Sequence, residues 1–206
     1  MPARNVFLFV FDTMADWETS FAVAGINNPR FQKNPYRYRV VTVGTTRKPV
    51  TSMGGLRIIP DIALAEVDSN DAAMLILPGG ETWESHSNME AIDIARVFFV
   101  ESVPIAAICG ATFALARAGM LDDFHHTSNS RDYLLASGYR GEKFYCNVPA
   151  VTDESMITAS GLAPLEFARE VFKTLDLYTP SALEAWYSLY KFGNATRYQE
   201  LANCAA

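Results

Sequence analysis

The chain has 206 residues, half of them hydrophobic and 19% charged, with a net charge of −6 and a pI near 5.1. That length suits one domain with a large core and is short for two, and the composition excludes a disordered or fibrous chain. The acidity weighs against nucleic acid or an anionic membrane as the main partner.

The opening "MPARNVFLFVFD" runs from one arginine straight into an acidic residue and has no small-residue cleavage site after it. It therefore reads as a first strand and not as a signal peptide. Apolar stretches such as "NVFLFVF" and "AAMLILP" fall far short of the roughly 20 residues that cross a bilayer. Cys109, Cys146 and Cys204 are an odd count at unrelated spacings, neither a disulfide framework nor a zinc pattern. A reducing cytoplasm suits them best, so the expectation is a soluble, cytoplasmic, globular protein.

In chain order, residues 5–11 and 37–44, rich in Val and Phe, predict strands. Residues 72–78 and 103–109 are continuous apolar runs of strand length, as expected for strands covered on both faces. Residues 16–27, 88–102, 110–121 and 163–178 repeat apolar positions at three- and four-residue steps and predict helices. The segment 49–61 carries Gly-Gly between two extended pieces and predicts a hairpin-like excursion. The tail, 179–206, predicts an added helix with aromatic faces, packed either on the same domain or on a second subunit.

Strand–helix alternation of this kind implies a parallel sheet with helices on both faces. Sites in such sheets lie beyond the carboxyl ends of the strands, which gathers three loops: "FDTMADWE", "PGGETW" and "CGAT". A strand ending on Cys109 with Gly110 and Ala111 next predicts a sharp turn that exposes the sulfur, as in a nucleophile elbow. The helix that follows points free N–H groups and its positive dipole end at the sulfur, so the expectation is a lowered thiol pKa. The same N–H groups can stabilise an oxyanion. A buried cysteine serving as a small hydrophobe is the bland alternative. Asp16, Trp17 and Glu18 open the first helix, where acids also serve simply to stabilise it. A carboxyl beside a thiolate cannot stay ionised cheaply, so one of the two must hold a proton; a protonated Glu18 would donate to the sulfur.

Together "AAICGATFALARAGMLD", the preceding "LILPGG" and the leading "FDTMADWE" resemble the ThiJ/PfpI superfamily of class I glutamine amidotransferase-like proteins, which includes the DJ proteins and the PfpI-type intracellular proteases. The likeness runs from about residue 5 to about residue 177 and closes on "MITASGLAPLEFAREVFKTL". It implies a flavodoxin-like three-layer α/β/α sandwich with a mostly parallel sheet, residues 1–178 forming the family-like domain and 179–206 a helical extension of it. A homodimer is implied as well. It assigns Cys109 as the elbow nucleophile, Glu18 as its hydrogen-bonding glutamate, and Gly80 and Gly110 as backbone oxyanion donors. No metal or organic cofactor is implied.

Family members often carry a histidine after the elbow helix. Here the matching stretch "FHHTSNSRDYL" places Asn129 at that position, with His125 and His126 a few residues early and, on a strand, pointing to opposite faces. Asn129 and Arg131 are candidates for binding a polar substrate, with a helix cap at Asn129 or Ser130 as the alternative. Asp16 and Trp17 are further substrate-binding candidates, and Trp17 and Trp83 suggest a partly apolar pocket wall. His86, Cys146 and Cys204 read as incidental. Two functions stay open: a cysteine-dependent hydrolase, amidase or glyoxalase-type enzyme acting on a small-molecule or peptide substrate, and a redox sensor or protective binding protein using the same oxidisable thiol.

Overall fold

The computed structural model describes residues 3–203. A seven-stranded sheet forms its centre, in the order β5-β2-β1-β6-β7-β9-β8. Its strands are β1 (Arg4–Phe9), β2 (Tyr38–Gly44), β5 (Ile62–Ala63), β6 (Ala72–Leu77), β7 (Ile105–Ile108), β8 (Ala150–Asp153) and β9 (Met156–Ala159). Every pairing is parallel except β8 with β9, which closes one edge as an antiparallel pair. The continuous apolar runs explain the centre: all residues of β6, β7 and β9 are buried, as strands covered on both faces must be. The edge strand β8 is only half-buried.

Helices α1 (Asp16–Asn27), α2 (Met89–Val100), α3 (Gly110–Arg117), α4 (Arg131–Leu135) and α5 (Pro164–Thr174) flank the sheet and complete the three-layer sandwich. Helices α1 and α5 pack so closely that a β-carbon on Gly25 would sit 2.2 Å from the Phe172 ring. The 49–61 segment is a two-stranded hairpin, β3 (Val50–Thr51) with β4 (Arg57–Ile58). It is tied to the loop after β1: Met53 N–H donates to the Met14 carbonyl at 2.8 Å, and Gly54 N–H to Asp16 Oδ2 at 2.6 Å.

The tail differs from the single helix expected. It forms two, α6 (Pro180–Phe192) and α7 (Thr196–Asn203), because Gly193 adopts a left-handed conformation, φ 63°, and stops the first. Helix α6 lies against its own chain: the Trp186 ring meets Phe172 edge-on at 4.9 Å and Phe21 at 6.2 Å. Cys204 lies outside the described residues. Among the described residues no helix is long and apolar enough to cross a membrane.

Candidate active site

Strand β7 ends at Ile108, and Cys109 makes the turn into α3 with φ 58° and ψ −124°. A residue other than glycine held there is strained by roughly 1–3 kcal/mol. Its neighbours fix the bend: Cys109 N–H donates to the Ala159 carbonyl at the end of β9, at 3.0 Å, and its carbonyl accepts from the Thr112 hydroxyl. Two glycines make room for the sulfur. A β-carbon on Gly79 would lie 2.6 Å from Cys109 Cβ and 2.6 Å from Glu18 Oε2; one on Gly161 would lie 2.8 Å from Cys109 Sγ. Gly110 lies beside Gly80, where a β-carbon on Gly110 would be 3.6 Å from the Gly80 nitrogen.

Glu18, in the first turn of α1, is 1% exposed. Its Oε2 accepts the Gly79 N–H at 2.6 Å, while Oε1 is buried without a hydrogen-bond partner among the described residues and faces the same space beside Gly161 as Cys109 Sγ. Burial pushes the carboxyl up to about 7, against the lowering influence of Cys109 and Gly79. Burial also pushes the thiol up, to about 11, with the Glu18 charge as the second cause. The donors that favour thiolate, Asn129 and the Gly110 N–H, do not outweigh these. The expected lowering of the thiol by the helix start is therefore corrected. Near neutrality a half-ionised carboxyl faces a protonated thiol, and the pair holds a single proton across the interval between its two titrations.

Asn129 sits at the sulfur: Nδ2 donates to Cys109 Sγ at 3.3 Å and Oδ1 accepts the Gly161 N–H at 2.9 Å. The second bond fixes which end of the amide faces Sγ. The cap of α4 is Ser130, whose hydroxyl accepts from Tyr133 N–H. Trp17, half-exposed, donates its indole N–H to the Gly161 carbonyl at 3.3 Å. Gly161 thus roofs the sulfur, held from one side by α1 and from the other by the 126–129 strap. Only its place in space marks it out; "SGLAP" carries no sequence signal for such a role.

Other candidates lie elsewhere. Arg131 pairs with Glu142 on the surface, and the Asp16 carboxylate is taken by the hairpin. His125 binds Asp153 at 2.9 Å and is exposed. His126 is buried, bonded through Nδ1 to the Phe124 carbonyl and through Nε2 to the Tyr139 hydroxyl. Neither histidine bonds to Cys109. Trp83 is no pocket wall: it is wholly buried, donates to the Pro78 carbonyl at 2.8 Å, and stacks its ring edge against Phe11 behind the turn. His86 is exposed, and Cys146 bonds weakly to the Phe144 carbonyl. No cluster of three or more metal-ligating side chains occurs among the described residues.

A doubly wound α/β sandwich with a strained cysteine at a strand-to-helix elbow and a buried glutamate against it defines the class. The DJ-1/PfpI family profile matches residues 4–174, and the chain belongs to that family. It is 43% identical over 206 residues to the uncharacterized protease YoaZ of Bacillus subtilis, covering 98% of both chains. The solved structure of a thiJ/pfpI family protein from Bacillus anthracis superposes with a TM-score of 0.90 at 42% identity, covering 99% of this chain and 98% of that one. A glutathione-independent glyoxalase of Caenorhabditis elegans is 27% identical over 143 residues, 67% of this chain and 74% of its own.

Proposed function

We propose that the protein is a cysteine-dependent enzyme acting on a small carbonyl or amide compound, with Cys109 as nucleophile and Glu18 as its general base and acid. The observation that carries this is the contact between a carboxyl poised near pH 7 and the elbow thiol. A base is best matched when its pKa lies near the working pH, so Glu18 supplies what the displaced histidines do not. As Sγ bonds to the carbonyl carbon, the C=O electron pair moves onto oxygen and the thiol proton passes to Glu18. The Gly110 N–H faces the sulfur and Gly80 lies beside Gly110, so these two N–H groups would hold the oxyanion. With an amide, Glu18 returns the proton to the leaving nitrogen, and water then hydrolyses the thioester. With a 2-oxoaldehyde the adduct is a hemithioacetal. Relatives named as a protease and a glyoxalase are in keeping with either substrate.

The redox-sensor reading ranks second. Burial and the Glu18 charge push the Cys109 thiol up and so reduce the thiolate on which peroxide acts. The test is turnover of a peptide, a glutamine-type amide and methylglyoxal by wild type, Cys109→Ala and Glu18→Gln. Loss in both variants is expected. Full activity in Cys109→Ala, or no turnover together with selective oxygen addition at Cys109, overturns the proposal.

A further inference from the structure

Beside Asn129 the surface opens into a cleft of about 290 Å³, on which the chemistry above makes no demand. The 126–129 strap forms one wall, the loop after β9 another, and Lys191 of α6 reaches in from the tail. Asn129 both lines this cleft and donates to Cys109 Sγ, so the cleft begins one side chain from the sulfur. Helix α6 lies beyond residues 4–174, the part matched to the family.

The chemistry of the walls defines what fits. Two apolar side chains stand at the rim, Leu162, 94% exposed, and Val148, about half so. The side-chain amide of Asn147 has no hydrogen bond to another described residue. Lys191 Nζ contacts Glu166 Oε1 at 2.7 Å, and the Tyr187 hydroxyl donates to the same oxygen at 2.6 Å. Burial opposes the Glu166 charge, but these two donors overcome it and hold the carboxyl below its usual range. The ammonium has two further N–H donors. Lys191 and Glu166 are the charged residues lining the cleft, in contact and opposite in sign. Because the two charges are paired, the cleft has no net charge to attract a ligand ion of either sign, while a charged ligand still loses hydration on entering. Uncharged donors and acceptors escape that penalty.

We propose that this cleft is a second binding subsite for an uncharged, amide-bearing group with an aliphatic flank, and that Lys191 is its specificity-determining residue. The amide carbonyl accepts from Lys191 Nζ, the Asn147 amide pairs with the remaining polar group, and Leu162 with Val148 covers the aliphatic part. The subsite deepens the reading of Cys109 as nucleophile by naming what the rest of the substrate carries, and it is testable without turnover.

The matched probes are N-acetyl-leucinamide, which is neutral, N-acetyl-leucine, an anion, and leucinamide, a cation. Each is titrated into wild-type protein while the side-chain amide resonances of Asn129 and Asn147 are followed by NMR. The neutral probe is expected to move both resonances and to bind at least ten-fold more tightly than either charged one. Lys191→Met should weaken it about ten-fold and Asn147→Ala about three-fold; the exposed Asn147 position keeps the test open if the lysine variant folds poorly. Equal or tighter binding of a charged probe, or unchanged affinity in Asn147→Ala, overturns the subsite. Full activity in Cys109→Ala, or no turnover by wild type with selective oxygen addition at Cys109, while this binding stays intact, would sink the nucleophile reading alone.

Discussion

Replacing Glu18 by glutamine tests the electrostatics of the site through stability, independently of any substrate. In an unfolded chain the carboxyl titrates near 4.5, and in the folded protein burial raises it to about 7. Below pH 4.5 both states are protonated and there is no difference. Between 4.5 and 7 the unfolded chain ionises first, so the folded state binds more protons and stability falls as pH rises. Above 7 the cost is complete, about 3 kcal/mol for a displacement of this size. Glutamine is close in shape, can accept the Gly79 N–H through its amide oxygen, and cannot ionise. Urea unfolding at pH 4.5, 6, 7 and 8 should therefore show Glu18→Gln about 3 kcal/mol more stable than wild type at pH 8. The gap should close as pH falls to 4.5. In thermal melts at pH 8 it corresponds to about 6–12 °C. A stability difference that does not change with pH would refute the account, because a packing or hydrogen-bond effect has no such profile.

Other outcomes follow from the same geometry. Gly161→Ala places a β-carbon 2.8 Å from Cys109 Sγ and 3.0 Å from Glu18 Oε1, an overpacking that costs about 1–3 kcal/mol. Its checks are a lower melting temperature and slower alkylation of Cys109 by iodoacetamide, and unchanged alkylation would show that the roof does not confine the sulfur. Trp186→Ala empties the seat between Phe21 and Phe172, and should cost about 3–5 kcal/mol in denaturant unfolding. A cost below about 1 kcal/mol would mean that α6 contributes little to the core.

Much of this molecule can be read along the chain, for a physical reason. Strands β6 and β7 are covered on both faces, so their sequences are uninterrupted hydrocarbon; α1 buries residues at three- and four-residue steps, though Glu18 and Thr19 are among them. Cys109 and Glu18 were legible because a turn and a helix start are local features. What escaped depends on distant segments meeting. Gly161 matters because β9 ends beside β7, which no local feature announces; Asn129 was placed only through the resemblance, and the structure seats it on the sulfur. Trp83 looked like a loop residue, yet its loop folds inward behind the turn. The thiol runs opposite to the local expectation because burial, the largest influence on it, is a property of the whole assembly of loops. The two histidines next to each other did separate to opposite environments, one in solvent and one in the interior.

The positive φ at Cys109 sets this protein's robustness against its chemistry. The position that supplies the proposed nucleophile is also one where the backbone would rest more easily with no side chain at all. A screen for heat resistance alone would be rewarded for substituting glycine there, and the hardiest descendants would be inert. Directed improvement of this scaffold therefore has to select for turnover and endurance together.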